Sequence, residues 1–347
     1  KKKKIIRTET RSLHDEKYDV YALGNALVDT EIEVSDAFLE RMEVGKGLMT
    51  LVDEARQAEL IAALADEAEP HKQTSGGSAC NTVVATRYFG GNSYYACKVA
   101  DDATGDIFVN DLTAAGVDTN MNGNRDTGIS GKCLVMLTPD AERTMNTYLG
   151  ISSQVSEAEL DEAAIAASHY VYLEGYLVSG DSSRAAAIKL RQLAEKHGVK
   201  TSLTFSDPAM VQFFKDGLSE MLGDGVDLLF CNDAEATSYT DTDSPEAALE
   251  KLKAVCRSAV ITLGAKGALV WDGEQTHRID PVPVKAIDSN GAGDMFAGAF
   301  LYAITHGHDF AAAGKLASAA AARLVTEFGP RLSADVHQEM RQTVLGD

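Results

Sequence analysis

The chain is expected to fold as an α/β protein: a doubly wound, mainly parallel sheet flanked by helices, with a small β-lid above it. Three observations predict this. Short β-rich runs alternate with helical patterns along most of the 347 residues, as repeated strand–helix–strand units do. Two stretches, 31–51 and 127–149, break the alternation with strand-like sequence of their own. No long linker or internal repeat divides the chain.

In chain order, a strand at 18–23 is followed by a helix at 80–89, a strand at 93–100 and a helix at 106–115. Strand 170–173, helix 185–197, strands 200–205 and 227–231, helix 246–255 and strand 259–263 continue the pattern, and helices at 292–305 and 310–326 close it. The strands are rich in β-branched and aromatic residues, and the last two helices in alanine. Within the second interrupting stretch, 131–137 and 143–149 flank Thr138-Pro139-Asp140-Ala141, a turn signal. Both stretches read as parts of a lid, which would exclude water from a site below; the alternative is two surface hairpins. Residues 17–347 thus form one domain, with the lid from about 30–52 and 127–150 and a disordered or cloning-derived tail at 1–16.

Composition narrows the class. The chain is 45% hydrophobic and 24% charged, with a net charge of −20. An acidic surface disfavours nucleic acid, and an anionic ligand must be held by local cations, backbone amides or metal. No apolar run approaches the ~18 residues of a membrane span. The five cysteines, Cys80, Cys97, Cys133, Cys231 and Cys256, form no CxxC pair and read as buried thiols of a cytoplasmic protein. The eight histidines show no metal-ligand spacing.

The most informative stretch is Asp288-Ser289-Asn290-Gly291-Ala292-Gly293-Asp294, followed by an apolar run. Amides at such a helix start are unpaired and lie at the positive end of the helix dipole, which makes Gly291, Ala292 and Gly293 an anion site. A carboxylate beside an anion site makes sense if Asp294 is the base for a hydroxyl that attacks the bound anion. The segment therefore points to phosphoryl transfer from a nucleotide to an alcohol. The alternative is a glycine turn before a buried helix, with Asp294 an ordinary first-turn carboxylate.

Other motifs point the same way, each with a plainer alternative. Gly76, Gly77 and Asn81 lie in Ser75-Gly76-Gly77-Ser78-Ala79-Cys80-Asn81. Glycines admit a ligand close to the backbone, and an asparagine can donate to and accept from a hydroxyl; a capped helix start would look the same. Asn25 and Asp29 follow the first strand, where ligands of open sheets gather; one carboxylate can accept from two vicinal hydroxyls, or can simply close a turn. Asn232 and Glu235 sit one helical turn apart, suited to a hydrated Mg²⁺ or to a capping box. Thr262, Gly264, Lys266 and Gly267 follow another strand as a ligand loop or a hairpin turn. Arg143, in the expected lid, carries a guanidinium fork suited to a transferring phosphoryl group, or is a surface arginine. There is no Gly-x4-Gly-Lys-[Ser/Thr] and no Gly-x-Gly-x-x-Gly after the first strand, which argues against a P-loop enzyme and a dinucleotide oxidoreductase.

Taken together and in this order, the motifs resemble the ribokinase-like, or PfkB, family of carbohydrate and nucleoside kinases over residues 18–329. Residues 288–294 match the family signature Asp-Thr-x-Gly-Ala-Gly-Asp, with Ser289 keeping the hydroxyl of Thr. The resemblance implies a ribokinase-like fold and an ATP-dependent kinase that phosphorylates the primary hydroxyl of a ribonucleoside or sugar. It implies Gly76, Gly77, Asn81, Asn25 and Asp29 on the acceptor. It implies Asn232, Thr262, Gly264, Lys266 and Gly267 on the nucleotide, and Glu235 on Mg²⁺ through water. A monovalent cation, K⁺, is implied near Asp288 and Asn290. Gly24–Asp29, the Gly-Gly-Ser opening, Glu142–Met145 and Ser206-Asp207-Pro208 with Phe213-Phe214 lean towards the adenosine-kinase branch. Ala209 stands where animal nucleoside kinases carry a stacking aromatic. A sugar kinase of ribokinase or fructokinase type, or a non-catalytic sugar or nucleotide sensor, remains the alternative; the intact Asp294 argues against the sensor. The expected partner is a small-molecule acceptor, with no nucleic acid and no membrane, and the protein is a monomer or homodimer.

Overall fold

The structure is a computed structural model that describes residues 17–47, 49–70, 72–140 and 142–347; the tail expected at 1–16 lies outside the described residues. Among these, the strands are β1 Tyr18–Leu23, β2 Leu27–Glu33, β3 Met49–Leu51, β4 Lys72–Gly76, β5 Ser93–Ala96, β6 Asp118–Thr119, β7 Lys132–Leu137, β8 Arg143–Tyr148, β9 Ser168–Glu174, β10 Lys200–Thr204, β11 Leu228–Asn232, β12 Ala259–Thr262, β13 Ala268–Trp271 and β14 Thr276–Ile279. They form two sheets. The larger has the order β14-β13-β12-β11-β10-β9-β1-β5-β6. It is parallel from β12 to β6, and β13 and β14 add an antiparallel edge.

Helices cover both faces of this sheet, as parallel strands require. Alternate residues of β1 enter opposite cores. Val20 and Ala22 pack with helices Ser78–Phe89, Ala292–Thr305 and Phe310–Leu324, while Tyr21 and Leu23 pack with Asp181–Lys196 and Pro208–Leu222. No described helix is long and apolar enough to cross a membrane.

The smaller sheet has the order β3-β8-β7-β2-β4. Its strands come from the two interrupting stretches, with three departures. β2 begins at Leu27, ahead of the first stretch, so Asp29 lies inside a strand of this sheet and not in the loop after β1. Residues 31–51 are not continuously strand-like: Asp36–Arg41 is a helix, capped by the Ser35 hydroxyl, which accepts from the Phe38 amide, and it buries Phe38 and Leu39. The fifth strand, β4, is Lys-Gln-Thr-Ser-Gly, an edge strand without apolar alternation. One face of this sheet, with Ile32, Leu134 and Met136, packs on Phe38, Leu39, Leu60 and Leu64. The opposite face, with Asp29, Glu31, Val135 and Arg143, borders a cavity that Asn290 and Gly329 also line.

Candidate active site

The parallel strands end together on one side of the larger sheet, and Asn25, Asn232 and Thr262, singled out in the sequence, lie there. Gly24 and Asn25 follow β1, Glu174 ends β9, Asn232 ends β11 and Thr262 ends β12. Asn232 and Thr262 are neighbours in register. Carboxyl ends of parallel strands are where ligands bind in open α/β sheets.

Asp294 stands in the first turn of helix Ala292–Thr305. Gly291 precedes it with φ 80°, and no side chain caps the helix. A side chain at 291 would be strained by that left-handed backbone and would meet Pro330 at 2.8 Å. A Cβ on Gly293 would meet nothing within 4 Å, so the space in front of the first turn is open. Helix Ser78–Phe89 runs alongside and is tied to it by Thr82 Oγ1, which donates to the Asp294 carbonyl, and Thr86 Oγ1, which donates to the Gly298 carbonyl. That packing delivers two donors to the Asp294 carboxylate: Ser78 Oγ to Oδ1 at 2.6 Å and Asn81 Nδ2 to Oδ2 at 3.2 Å. Burial pushes this carboxyl up to about 6, against Ser78, Asn81 and the nearby charge of Arg331. A carboxylate so placed is ionised at neutral pH yet basic enough to take a proton.

The residues for which the resemblance implies acceptor binding lie close together. β2 pairs antiparallel with β4, with Leu27 opposite Gly76. The Asp29 carboxylate lies so close that a Cβ on Gly76 would meet Oδ2 at 2.5 Å. Gly77 is the N-cap of helix Ser78–Phe89 and makes no side-chain cap. Burial pushes Asp29 up to about 6, with Arg331 and Arg143 pulling down and Asp294 pushing up. Asn25 Oδ1 is buried without a donor, an orphan that a ligand hydroxyl would satisfy.

Sequence reasoning missed Glu174, Ser78 and Arg331. Glu174 accepts from the Asn25 amide at 3.0 Å and the Ala79 amide at 2.9 Å, joining the loop after β1 to the start of helix Ser78–Phe89. Its burial pushes it up to about 7. The signal was available: Glu174 ends an apolar strand, as Asp29 follows one. Ser78 reads as a cap but spends its hydroxyl on Asp294. Arg331 carries no local signal, and its partners are distant in sequence.

On the nucleotide side, Asn232 and Glu235 form a complete capping box: Asn232 Oδ1 accepts from the Glu235 amide at 2.7 Å, and Glu235 Oε1 accepts from the Asn232 amide at 2.9 Å. Burial, then Asp207, Asp233 and Asp294, hold Glu235 up to about 7 against that amide. The turn Gly264–Lys266 joins β12 to antiparallel β13, with Lys266 exposed.

Arg143 and Asp288 depart from expectation. Arg143 Nε lies 2.6 Å from Asp288 Oδ2, both side chains less than 8% exposed. The N–H is not aligned for a hydrogen bond, so the contact is an ion pair. Arg143 Nη2 also donates to Glu31 at 3.3 Å, and the guanidinium lies 5.6 Å over the Phe328 ring. Asp288 accepts further from the Asn290 and Gly329 amides, each at 3.0 Å. The arginine expected over a phosphoryl group is thus held by carboxylates. Arg143 puts a positive charge beside Asp288, where the resemblance implies K⁺.

Residues 48–336 match the profile of the pfkB family carbohydrate kinases. The adenosine kinase of Saccharomyces cerevisiae is 28% identical over 328 residues, 89% of this chain and 95% of that protein. The crystal structure of adenosine kinase from Sinorhizobium meliloti superposes with a TM-score of 0.84 at 33% identity, covering 94% of this chain and 99% of the other. A probable sugar kinase from Rhizobium etli has the same TM-score at 31% identity, covering 94% and 98%.

Proposed function

The chain belongs to the pfkB family of carbohydrate kinases and is an ATP-dependent phosphotransferase acting on a hydroxyl of a nucleoside or sugar; from that premise we propose that its acceptor is a ribonucleoside, adenosine first. The observation that carries this choice is the inner face of the smaller sheet. Asp29, Cys133, Thr147 and Leu51 are successive register partners, as are Glu31, Val135, Met145 and Met49. Partners in register share a face. The face that presents Asp29 therefore continues as an apolar platform, and Met49 and Leu51 at its end are 46% and 57% exposed. A vicinal diol at Asp29 leaves a flat base to lie along that platform, a role a free sugar leaves unfilled. It also answers Ala209, since apolar contact with the base then comes from the smaller sheet, which we propose acts as a lid on the kinase domain of residues 17–347.

In this reading Asp29, Asn25, Gly76, Gly77 and Asn81 hold the acceptor, and Asp294 takes the proton from its primary hydroxyl. The amides of Gly291, Ala292 and Gly293 face the charge on the phosphoryl group, and Arg143 stays paired with Asp288 beside them, adding its positive charge to that side of the site. Asn232, Thr262, Gly264, Lys266 and Gly267 line the nucleotide's path along the strand ends. Mg²⁺, which usually keeps several waters, would bind here as a hydrated ion, with Glu235 in the first turn of helix Asp233–Thr240 as the carboxylate proposed to hold those waters; among the described residues no three His, Cys, Asp or Glu side chains converge to ligate a metal directly. When bound, it supplies positive charge at the phosphates. The protein is proposed to work in the cytoplasm as a monomer or homodimer; its five cysteines are all buried and free.

The test is a panel of acceptors with ATP. Adenosine is expected to give the highest kcat/KM among adenosine, inosine, ribose and fructose. Ribose or fructose ahead of adenosine by tenfold would replace the nucleoside by a sugar and leave the kinase standing.

Potassium does not fit the residues present, because the oxygens of Asp288 are engaged by Arg143, Asn290 and Gly329. The rate is expected to be equal in potassium and in tetramethylammonium buffer. Activation by K⁺ of about tenfold would show that Arg143 leaves Asp288 during turnover.

A further inference from the structure

Asn81 touches Asp294, and what decides how it does so lies behind it. Arg331 donates from Nε to Asn81 Oδ1 at 3.1 Å, from Nη2 to Ser75 Oγ and Cys80 Sγ, each at 3.2 Å, and from Nη1 to Asp111 Oδ2 at 3.4 Å. Its side chain is 14% exposed. Asp111 in turn accepts from the amide and hydroxyl of Ser75. The guanidinium is therefore anchored to β4, to helix Ser78–Phe89 and to helix Ala103–Ala114 at once.

A guanidinium has donors only. The Asn81 atom that faces it must be the carbonyl oxygen, which leaves the NH₂ group to face Asp294. The opposite flip would set NH₂ against guanidinium and oxygen against carboxylate, two repulsive contacts. The direction of a side-chain amide follows from its hydrogen-bond partners, and here Arg331 sets it.

We propose that Arg331 is a positioning residue for phosphoryl transfer: by fixing the amide of Asn81, it holds the Asp294 carboxylate between two donors and aimed into the site. The proposal rests on the reading of Asp294 as the base. The charge of Arg331 acts in the same direction. It draws down the carboxyls of both Asp294 and Asp29, in a site where Asp294 also faces Ser78 and Asn81 and is felt by Asp29, Glu174, Glu235, Tyr172 and Tyr176. Arg331 itself faces Asp111, Ser75, Cys80 and Asn81.

The test is the pH profile of kcat/KM in the full-length protein, using ATP and the best acceptor of adenosine, inosine, ribose and fructose. Arg331→Gln removes the charge, so the acid limb is expected to move up by about one pH unit, with about fivefold more loss at pH 6 than at pH 8.5. Arg331→Lys keeps the charge without the fork; its limb stays in place while kcat falls about fivefold or more at every pH. A purely structural arginine would lower both variants evenly with the limb unmoved, and that result overturns the proposal. So does a rise in acceptor KM with kcat unchanged. If Arg331→Gln does not fold, judged by its thermal melt, Arg331→Lys decides: lowered kcat with the melting temperature kept and both KM values within about twofold supports the role, and unchanged kcat, or a fall that goes with lost thermal stability, overturns it. Asp294→Asn, assayed beside them, separates the two readings. An inactive Asp294→Asn with unaffected Arg331 variants removes the positioning role alone; an active one removes the base.

Discussion

Asp294→Asn is expected to lower kcat by about 10²–10⁴-fold, the usual contribution of a positioned general base, or roughly 3–5 kcal/mol of barrier. ATP KM should stay within about twofold, because the anion site is built from backbone amides that the substitution leaves in place. The fold should survive. Asn is nearly isosteric, and a neutral amide avoids the desolvation that raises the Asp294 carboxyl, so the melting temperature at pH 7.5 should not fall. The wild-type rate should also show an acid limb near pH 6. Burial raises Asp294 to about 6, so the base is ionised above that value and is lost to protonation below it. Steady-state kinetics across pH 5–9 on both proteins checks both statements. Turnover within a factor of a few of wild type would remove the assignment of Asp294.

The second large effect is expected on the acceptor side. Asp29 sits against Gly76 in an enclosed position shared with Arg331 and Arg143, beside a cavity of about 70 Å³ that Val135 and Asn290 also line. A hydroxyl that binds there pairs with a charged group, worth roughly 1.5–3 kcal/mol for each hydrogen bond. Sites of this kind reject analogues lacking the hydroxyl much more than analogues altered in apolar parts. 2′-Deoxyadenosine should therefore lose about 10²-fold in kcat/KM against adenosine, far more than base-modified nucleosides lose. In Asp29→Ala the two acceptors should become nearly equal, with adenosine falling to the level of the deoxy compound. An Asp29→Ala variant that loses equally on both would show that the carboxylate does not read that hydroxyl.

Much of this site is legible in the sequence where a short motif encodes its own geometry. The glycine turn before helix Ala292–Thr305 is such a case, since a left-handed Gly291, an uncapped helix start and a first-turn Asp294 are all local. The strand–helix alternation is legible for the same reason: β1 and helix Ala292–Thr305 have the expected boundaries. What could not be read depends on distance along the chain. Arg331 meets Asn81 across 250 residues, and Glu174 meets Ala79 across 95. Arg143 is a phosphate-binding residue by type, but its partner Asp288 comes from a loop 145 residues away. Polar edge strands such as β4 lack the apolar alternation that marks a buried face, and β4 escaped notice. Helix Asp36–Arg41 was masked by the β-prone Glu-Ile-Glu-Val before it, although Ser35-Asp36 is a sound start signal.

The proposed reaction gives products that can be counted. Adenosine incubated with ATP and Mg²⁺ should yield ADP and adenosine 5′-phosphate in equal amounts, followed by ³¹P NMR, with the new ester at the primary hydroxyl and almost none formed by Asp294→Asn in the same time. ADP without a phosphorylated acceptor, or equal yields from the two proteins, would contradict it.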